Sequence, residues 1–154
     1  VCIMVETAQA LARIDDILAV KGVDEIFIGL NDLHISMGLS FMFELLSDGL
    51  VEYVANKCKA KGVPFGFGGI ARIGDGMLPA ERILAEHVRL GSSSVILSRT
   101  FKGEVGENAG IKVELNEEVQ KVRAAIDTIK TWTVKDYQQN YEIITKVVKE
   151  IINR

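Results

Sequence analysis

Four short apolar runs, separated by segments of helix length, are the feature that most constrains the fold of this chain. We predict strands at 1–6, 24–30, 63–69 and 93–97. Runs of this length and apolar character are typical of parallel strands that are buried on both faces. Parallel neighbours cannot be joined by a tight turn, so the intervening segments are predicted to be crossover helices. The sequence therefore predicts an α/β fold built from parallel strand–helix units.

The segments between the strands carry helix boundary signals. Thr7 is a favourable N-cap, and Gly22 is a favourable end for the helix that follows it. Helices are predicted at 8–20, 40–46, 48–61 and 79–90, and loops at 31–38 and 70–77. Four strand–helix units make half of an eight-unit TIM barrel, which needs roughly 200 residues or more. A parallel sheet of only four strands leaves two unpaired edges, which favours association.

The C-terminal part of the chain differs in character. After a glycine-containing loop from Lys102 to Gly110, amphipathic helices are predicted at 116–131 and 133–153. The apolar stripe of the second helix consists of Tyr137, Tyr141, Ile144, Val148 and Ile151. This stripe either covers the chain's own core or packs against a neighbouring subunit, since a barrel needs only one helix here. We therefore divide the chain into a half-barrel, 1–101, and a C-terminal two-helix extension, 102–154, which subunits could exchange.

Composition excludes several classes of partner. The chain is 48% hydrophobic and 25% charged, as expected of a soluble globular protein, and its net charge of −3 argues against binding to nucleic acid or an anionic membrane. No apolar run approaches the roughly 18 residues that span a bilayer, and no signal peptide is visible. We expect a cytoplasmic protein in which Cys2 and Cys58 are reduced, buried thiols.

Two carboxylates end the first two predicted strands. Glu6 follows the first apolar run and Asp32 follows the second. The carboxyl ends of parallel strands meet at the edge where α/β proteins bind ligands. Two such oxygen ligands, completed by water and substrate, suit an octahedral Mg²⁺ or Mn²⁺. The structural alternative is that one residue caps a helix and the other lies in a turn.

Four further residues are weaker candidates. Arg72 and Arg99 follow the third and fourth strands, and each either binds a substrate carboxylate or phosphate or faces solvent from a loop. His34 lies two residues after Asp32, so it either transfers protons, contacts a metal ligand, or has no role in the site. His87 lies in the middle of a predicted helix and is expected to be structural.

Glycines cluster at the end of the third predicted strand. Gly66, Gly68 and Gly69 lack the spacing of a nucleotide-binding fingerprint. They predict a tight strand end that faces the site, where backbone segments approach closely.

Several of these segments together resemble one family. They are Met4-Val-Glu-Thr7, 15–24, Ile26-Phe-Ile-Gly-Leu-Asn-Asp-Leu33 and Ser36-Met-Gly38. They are similar to the I-E-T strand end, the G-V-D turn and the G-P-x-D-L strand end followed by S-x-G of the HpcH/HpaI aldolase and citrate lyase β-subunit family, the class II pyruvate aldolases. The similarity is dense over 3–38, weaker as far as 97 and absent beyond. The resemblance implies a TIM barrel in which this chain supplies strands five to eight.

The resemblance also implies a site. Glu6 and Asp32 match the two acidic ligands of a divalent metal, Mg²⁺, Mn²⁺ or Co²⁺. Gly29, Asn31 and Asp32 match the loop whose backbone N–H groups receive the carboxylate of a pyruvate-like substrate. In this chemistry a 2-oxo acid chelates the metal, which stabilises the enolate formed on carbon–carbon cleavage. Leu30 departs from the family pattern, in which a proline stands at this position.

The implied function is a metal-dependent carbon–carbon lyase, an aldolase or decarboxylase acting on 2-oxo acids such as pyruvate or oxaloacetate with an aldehyde partner. Family members commonly form homo-oligomers through their final helix. The substrate-clamping arginine and the histidine–acid pair for proton transfer belong to the first half of the barrel. Because residue 1 is a Val inside a predicted strand, we expect that half to be missing and this chain alone to be inactive. The alternatives are a CoA-thioester lyase of the citrate lyase type and a non-catalytic, barrel-derived binding or assembly module.

Overall fold

The computed structural model describes residues 1–102 and 111–153. Within them strands and helices alternate as far as residue 97, and two long helices follow. The strands are β1 (Cys2–Val5), β2 (Glu25–Ile28), β3 (Phe65–Ile70) and β4 (Ser94–Leu97). The helices are α1 (Ala8–Ala12), α2 (Ile14–Ala19), α3 (Leu30–Ser36), α4 (Glu44–Ser47), α5 (Leu50–Lys61), α6 (Ala80–Leu90), α7 (Ile111–Ile129) and α8 (Val134–Ile152). All four predicted strands are therefore present.

The strands form one parallel sheet in the order β1-β2-β3-β4. Val5 pairs with Ile28, and Ile28 pairs with Phe67 on the next strand. The register between β3 and β4 shifts once, between Gly66 and Gly69. Because every strand runs in the same direction, all four carboxyl ends lie at one edge of the sheet. The predicted α/β class with a parallel sheet is confirmed.

The two faces of the sheet have different environments. Val5, Ile28 and Phe67 lie side by side and are completely buried in the main hydrophobic core. Side chains alternate between the faces of a strand, so Met4 and Ile96 lie on the other face. There Met4 is 43% exposed and Ile96 is 52% exposed. One face is thus packed under helices, whereas the other is open to a cavity.

Before α5, two helix predictions and one loop prediction differ from the structure. The predicted helix at 8–20 is two short helices, α1 and α2, separated at Arg13. The predicted loop at 31–38 is wrong, because α3 occupies most of it. Leu30 and Leu33 are three residues apart and both buried, so burial of one helix face stabilises a segment whose polar residues indicated a loop. The short helix predicted at 40–46 begins later, at Glu44.

The C-terminal helices fold back on the same chain. Helix α8 begins with a capping box in which Thr133 and Asp136 bond each other's backbone N–H groups. It packs against α6 and α4, and Ile144 and Val148 are buried there. In this structure the apolar stripe of α8 therefore covers the chain's own core. Helix α7 begins at Ile111, before the predicted start, and the loop predicted up to Gly110 lies outside the described residues apart from Lys102.

The structure also tests the predictions about the two cysteines and about membrane-spanning segments. Both thiols are free; Cys58 is buried, and burial raises its pKa to about 11. Cys2 is exposed, so the expectation of a buried thiol is wrong for this residue, because it lies on the same open face of β1 as Met4. Among the helices of the described ranges, none is long and apolar enough to span a membrane.

Candidate active site

A cavity of about 610 Å³ lies at the carboxyl edge of the sheet. The ends of all four strands and the start of α3 contribute to its wall. The residues predicted for metal or substrate binding, together with one arginine, all line it: Glu6, Gly29, Asn31, Asp32 and Arg99. The structure therefore brings together residues that are as many as 93 positions apart in the sequence.

Glu6 is the half-buried carboxylate of this cavity. It follows β1 directly, and its side chain lies against Gly29, where an added Cβ would be 2.5 Å from Glu6 Oε1. Glu6 makes no hydrogen bond or ion pair with any residue that the structure describes. A carboxylate that loses water without gaining a partner is unfavourable unless a ligand compensates it. Glu6 is thus placed to bind a positively charged ligand.

Asp32 is the second carboxylate and lies in the first turn of α3. It is exposed, and its Oδ1 accepts a long hydrogen bond, 3.3 Å, from Asn31 Nδ2. The N-cap of α3 is Gly29, which has no side chain to accept from the first N–H groups of the helix. Those N–H groups have no partner inside the helix, and the helix dipole adds partial positive charge at this end. The first backbone N–H groups of α3 therefore have no side-chain cap.

The donor set fits a divalent cation that keeps part of its hydration shell. Glu6 and Asp32 line one cavity, and neither has a cationic partner within the described ranges. In the same part of the chain, no group of three or more His, Cys, Asp or Glu side chains is arranged to hold a metal. Mg²⁺ is commonly held by one or two carboxylates, with water and substrate oxygens completing its octahedron. The two side chains match that mode and not a closed structural metal site.

The other residues predicted from the sequence differ in whether they lie at the cavity. Arg99 begins a 3-10 turn after β4 and lines the cavity. His34 lies in the last turn of α3, with its Nδ1 3.2 Å from the Leu30 carbonyl oxygen, and is not part of the cavity wall. Arg72 is paired with Asp75, with 3.2 Å between Nε and Oδ2. Of these three residues, only Arg99 is in a position to contact a ligand in this cavity.

Sequence reasoning missed part of the cavity wall. Met42 reaches it from the segment between α3 and α4, which carries no motif. Ser98 lies at the end of β4, beside Arg99. The position of Ser98 at a strand end was a signal for it, whereas nothing in the local sequence indicates Met42.

A second polar cluster lies far from this edge, where α6 meets α5 and α8. Glu86 is buried, and its Oε2 is 2.8 Å from Arg89 Nη2. Arg89 also makes two hydrogen bonds to Glu52, of 3.1 and 3.0 Å. Burial disfavours the charged form of Arg89, but the hydrogen bonds to Glu52 and Glu86 raise the pKa of Arg89 above its ordinary value. The hydrogen bond from Arg89 lowers the pKa of Glu52. Asn140, also buried, donates to Glu86 and to the Arg82 carbonyl oxygen. We call Glu52, Glu86, Arg89 and Asn140 the α6 network.

The predicted structural role of His87 agrees with its surroundings. Its ring stacks on Phe67, with 3.6 Å between the ring centres, and its Nδ1 is 2.8 Å from Ser92 Oγ. Its buried Nε2 has no hydrogen-bond partner among the described residues. Burial lowers the pKa of His87 to about 3, so the ring is neutral at physiological pH.

The fold and the cavity together define a class: a parallel α/β protein with two carboxylates at the carboxyl edge of its sheet that have no cationic partner among the described residues. Comparison with known proteins makes this more specific. Residues 1–65 match the model of the HpcH/HpaI aldolase/citrate lyase family. The resemblance predicted from the motifs is thereby confirmed, and these residues have the sequence character of that family.

One curated relative agrees with the family match. A hydroxypyruvate/pyruvate aldolase of Rhizorhabdus wittichii is 36% identical to this chain over 77 residues, covering 46% of this chain and 31% of the relative. The chain thus matches about a third of the length of that relative. The family match over residues 1–65 includes the β1 and β2 motifs from which the candidate site was predicted.

Proposed function

We propose that this chain carries the metal-binding part of a divalent-metal-dependent carbon–carbon lyase, an aldolase or decarboxylase that acts on 2-oxo acids such as pyruvate or oxaloacetate. The observation that supports it most is that Glu6 and Asp32 face one cavity at the carboxyl edge of the sheet without a cationic partner in the described ranges. The family match and the aldolase relative support the lyase class.

The residues of the cavity have separate roles in this proposal. Glu6 and Asp32 hold Mg²⁺, Mn²⁺ or Co²⁺, and the bound cation supplies positive charge opposite the negative charge that develops on the substrate when the carbon–carbon bond breaks. The backbone N–H groups of Asn31 and Asp32 bind the substrate carboxylate. The predicted contribution of the Gly29 N–H is not available, because it donates to the Val5 carbonyl oxygen, and Glu6 fills the space beside Gly29. Arg99 binds a second anionic group of the substrate or of its aldehyde partner.

We further propose that β1 to β4 correspond to strands five to eight of a TIM barrel. The groups that clamp the substrate and transfer protons would then come from the other half of the barrel. Losing groups that act as a unit with the metal typically costs several powers of ten in rate. The chain alone should therefore decarboxylate oxaloacetate in the presence of Mg²⁺ far more slowly than an eight-stranded relative assayed beside it. Equal rates would contradict this division of roles.

Metal binding is the direct test of the proposal. Titration of the chain with Mn²⁺, followed by electron paramagnetic resonance of the free ion, gives the affinity. We expect Glu6→Gln and Asp32→Asn each to weaken binding by about 100-fold, because each removes a charged ligand that water replaces poorly. Glu117→Gln is the matched control, since it removes the same charge from an exposed position on α7. Unchanged affinity in Glu6→Gln would refute the ligand assignment.

The two alternative functions remain open to experiment. A lyase of the citrate lyase type would act on a CoA thioester, and the family description names citrate lyase beside the aldolase. The aldolase relative favours a free 2-oxo acid. Assays of a longer protein containing this chain, with both substrate classes, separate the two. A protein that binds Mn²⁺ and pyruvate but cleaves neither class would be a binding or assembly module.

We also propose that the protein is a homo-oligomer. Strands β1 and β4 lie at the edges of the sheet, with no further strand beside either of them in the part of the chain described. Because α8 packs against α6 and α4 of the same chain, we expect subunits to associate through these strand edges and not by exchange of α8. Light scattering at micromolar concentration should give at least the mass of a dimer. A monomer mass would contradict the proposal.

A further inference from the structure

Gly29 occupies a position where an added side chain would displace Glu6. Its backbone, with φ −79° and ψ 88°, does not lie in the left-handed region that favours glycine. Nevertheless, a Cβ at this position would be 2.5 Å from Oε1, 2.6 Å from Cγ and 3.0 Å from Cδ of Glu6. The side chain of Glu6, and not the backbone, is therefore what requires glycine here.

The backbone at the same point is also fixed. The N–H of Gly29 donates to the carbonyl oxygen of Val5 at 3.1 Å, immediately before Glu6 in the sequence. The Gly29 carbonyl oxygen in turn accepts from Leu33, which closes the first turn of α3. Glu6 thus lies directly against the residue from which α3 begins, with both backbones held in place.

Gly68 makes a similar space for the start of α3. A Cβ on Gly68 would be 2.5 Å from Cδ1 and 2.9 Å from Cγ of Leu30. Leu30 is the first residue of α3, two positions before Asp32, and is only 1% exposed. The first turn of α3 therefore packs on β3 through Leu30, which occupies the space where a Gly68 side chain would lie.

The neighbouring glycine of the cavity wall is less crowded. Gly69 lines the same cavity, but its nearest contacts for an added Cβ would be the Ile96 carbonyl oxygen at 3.4 Å and Ser98 Cβ at 3.9 Å. Those are ordinary van der Waals distances. A methyl group is thus tolerated at Gly69, whereas at Gly29 and Gly68 it would displace the side chains of Glu6 and Leu30.

We propose that Gly29 and Gly68 are positioning residues that set the spacing of the two carboxylates. Gly29 leaves the space that the Glu6 side chain occupies. Gly68 leaves the space for Leu30, which fixes the first turn of α3 and with it Asp32. This inference rests on the proposed metal site. A cation shared by two carboxylates depends on the distance between them, so a methyl group that displaces one side chain weakens binding without removing a ligand.

The experiment is an Mn²⁺ titration of the chain with Gly29→Ala, with Gly69→Ala as the matched control. We expect Gly29→Ala to weaken Mn²⁺ binding by roughly 10- to 100-fold, the range found for residues that orient metal ligands. Gly69→Ala should stay within about twofold of the unsubstituted chain. Gly29→Ala binding Mn²⁺ as tightly as Gly69→Ala would overturn the positioning role.

A double-mutant cycle with Glu6→Gln separates positioning from general damage. If Gly29 acts through Glu6, Gly29→Ala has no further effect on Mn²⁺ affinity once Glu6 is Gln. An equal loss in both backgrounds would overturn the inference. The proposed function fails separately, if Glu6→Gln itself leaves the affinity unchanged.

The role of Gly68 is tested by compensation. Gly68 has φ +40°, so Gly68→Ala adds backbone strain to the contact with Leu30, and this variant alone could fail to fold. The Gly68→Ala/Leu30→Ala double variant removes the contact and should bind Mn²⁺ more tightly than Gly68→Ala. Leu30→Ala, which adds no atoms, should weaken binding by about tenfold by releasing the first turn of α3. Leu30→Ala with the affinity of the unsubstituted chain would overturn this half of the proposal.

Discussion

The cavity at the carboxyl edge and the α6 network each contain two carboxylates and an arginine, but the two regions differ in whether these charges are paired with each other. In the α6 network, Arg89 is bonded to both Glu86 and Glu52, and Asn140 bonds the remaining oxygen of Glu86. In the cavity, neither Glu6 nor Arg99 has a partner among the residues described. Paired charges support the packing of helices, whereas unpaired charges at a strand edge remain available for a ligand. The comparison therefore separates residues with a packing role from candidates for ligand binding.

The largest stability effect should come from breaking the α6 network at its buried member. Replacing Glu86 by Ala removes the Glu86 side of the Arg89 ion pair and one of the two hydrogen bonds that Asn140 Nδ2 donates. We expect the free energy of unfolding, measured with urea, to fall by about 3 kcal/mol, the lower end of the range for one partner of a buried pair, because Glu52 still binds Arg89. Mn²⁺ affinity should not change. A loss below about 1 kcal/mol would show that this network is not structural.

The next effect is a pH dependence that arises on the sheet side of α6. The pKa of His87 is about 3 in the folded chain and about 6.5 when unfolded, so the unfolded state binds a proton first as the pH falls. Stability is complete above pH 6.5 and should decrease by about 1.4 kcal/mol for each pH unit below it, or about 2 kcal/mol by pH 5. Urea unfolding at pH 7 and pH 5 measures this. His87→Phe should remove the difference; its persistence would assign it to other groups.

A smaller effect is expected where α8 meets α4. The Tyr141 hydroxyl donates to the Ser47 carbonyl oxygen at 2.7 Å. Tyr141→Phe removes this hydrogen bond and should lower the free energy of unfolding by about 1 kcal/mol. Tyr53→Phe, on the exposed side of α5, is the control and should change it by less than about 0.5 kcal/mol. Equal effects in the two variants would show that the Tyr141 bond contributes nothing specific.

The smallest effect should occur at Glu6, and it tests the other half of the comparison. Without metal, Glu6→Gln should change the free energy of unfolding by less than about 0.5 kcal/mol, because no described residue loses a partner. Removal of an uncompensated charge could even stabilise the chain slightly. A loss above about 1 kcal/mol would show that Glu6 is a structural residue, and the distinction between the two regions would no longer hold.

The strand positions were predictable because parallel strands leave a strong local pattern. The runs at 24–30 and 93–97 contain β2 and β4, each bounded by polar or glycine residues. Helix α3 was not predictable from local signals. Gly29, Asn31 and Asp32 favour a turn, and the helix forms because Leu30 and Leu33 become buried against the rest of the molecule. Burial of that kind depends on tertiary structure, which local propensity does not contain.

The candidate site was predictable to the extent that it lies at strand ends. Glu6 and Asp32 were found because they follow apolar runs and match a family motif. The α6 network was not found, although Glu86 and Asn140 are polar residues within otherwise apolar helix faces. Such a residue signals a buried hydrogen bond, but the sequence does not identify its partner, since Glu86 and Asn140 are 54 positions apart. Only the docking of α8 brings them together.

The packing of α8 over α4 also has a consequence for how the molecule folds. The hydrogen bond between Tyr141 and Ser47 joins residues 94 positions apart. Each strand–helix unit can begin to form as it leaves the ribosome, but the surface of α4 stays uncovered until the last helix has been synthesised. Contacts between distant parts of a chain slow folding and prolong the exposure of apolar surface. During that interval, the apolar surfaces of α4 and α8 are where a chaperone would bind the nascent chain.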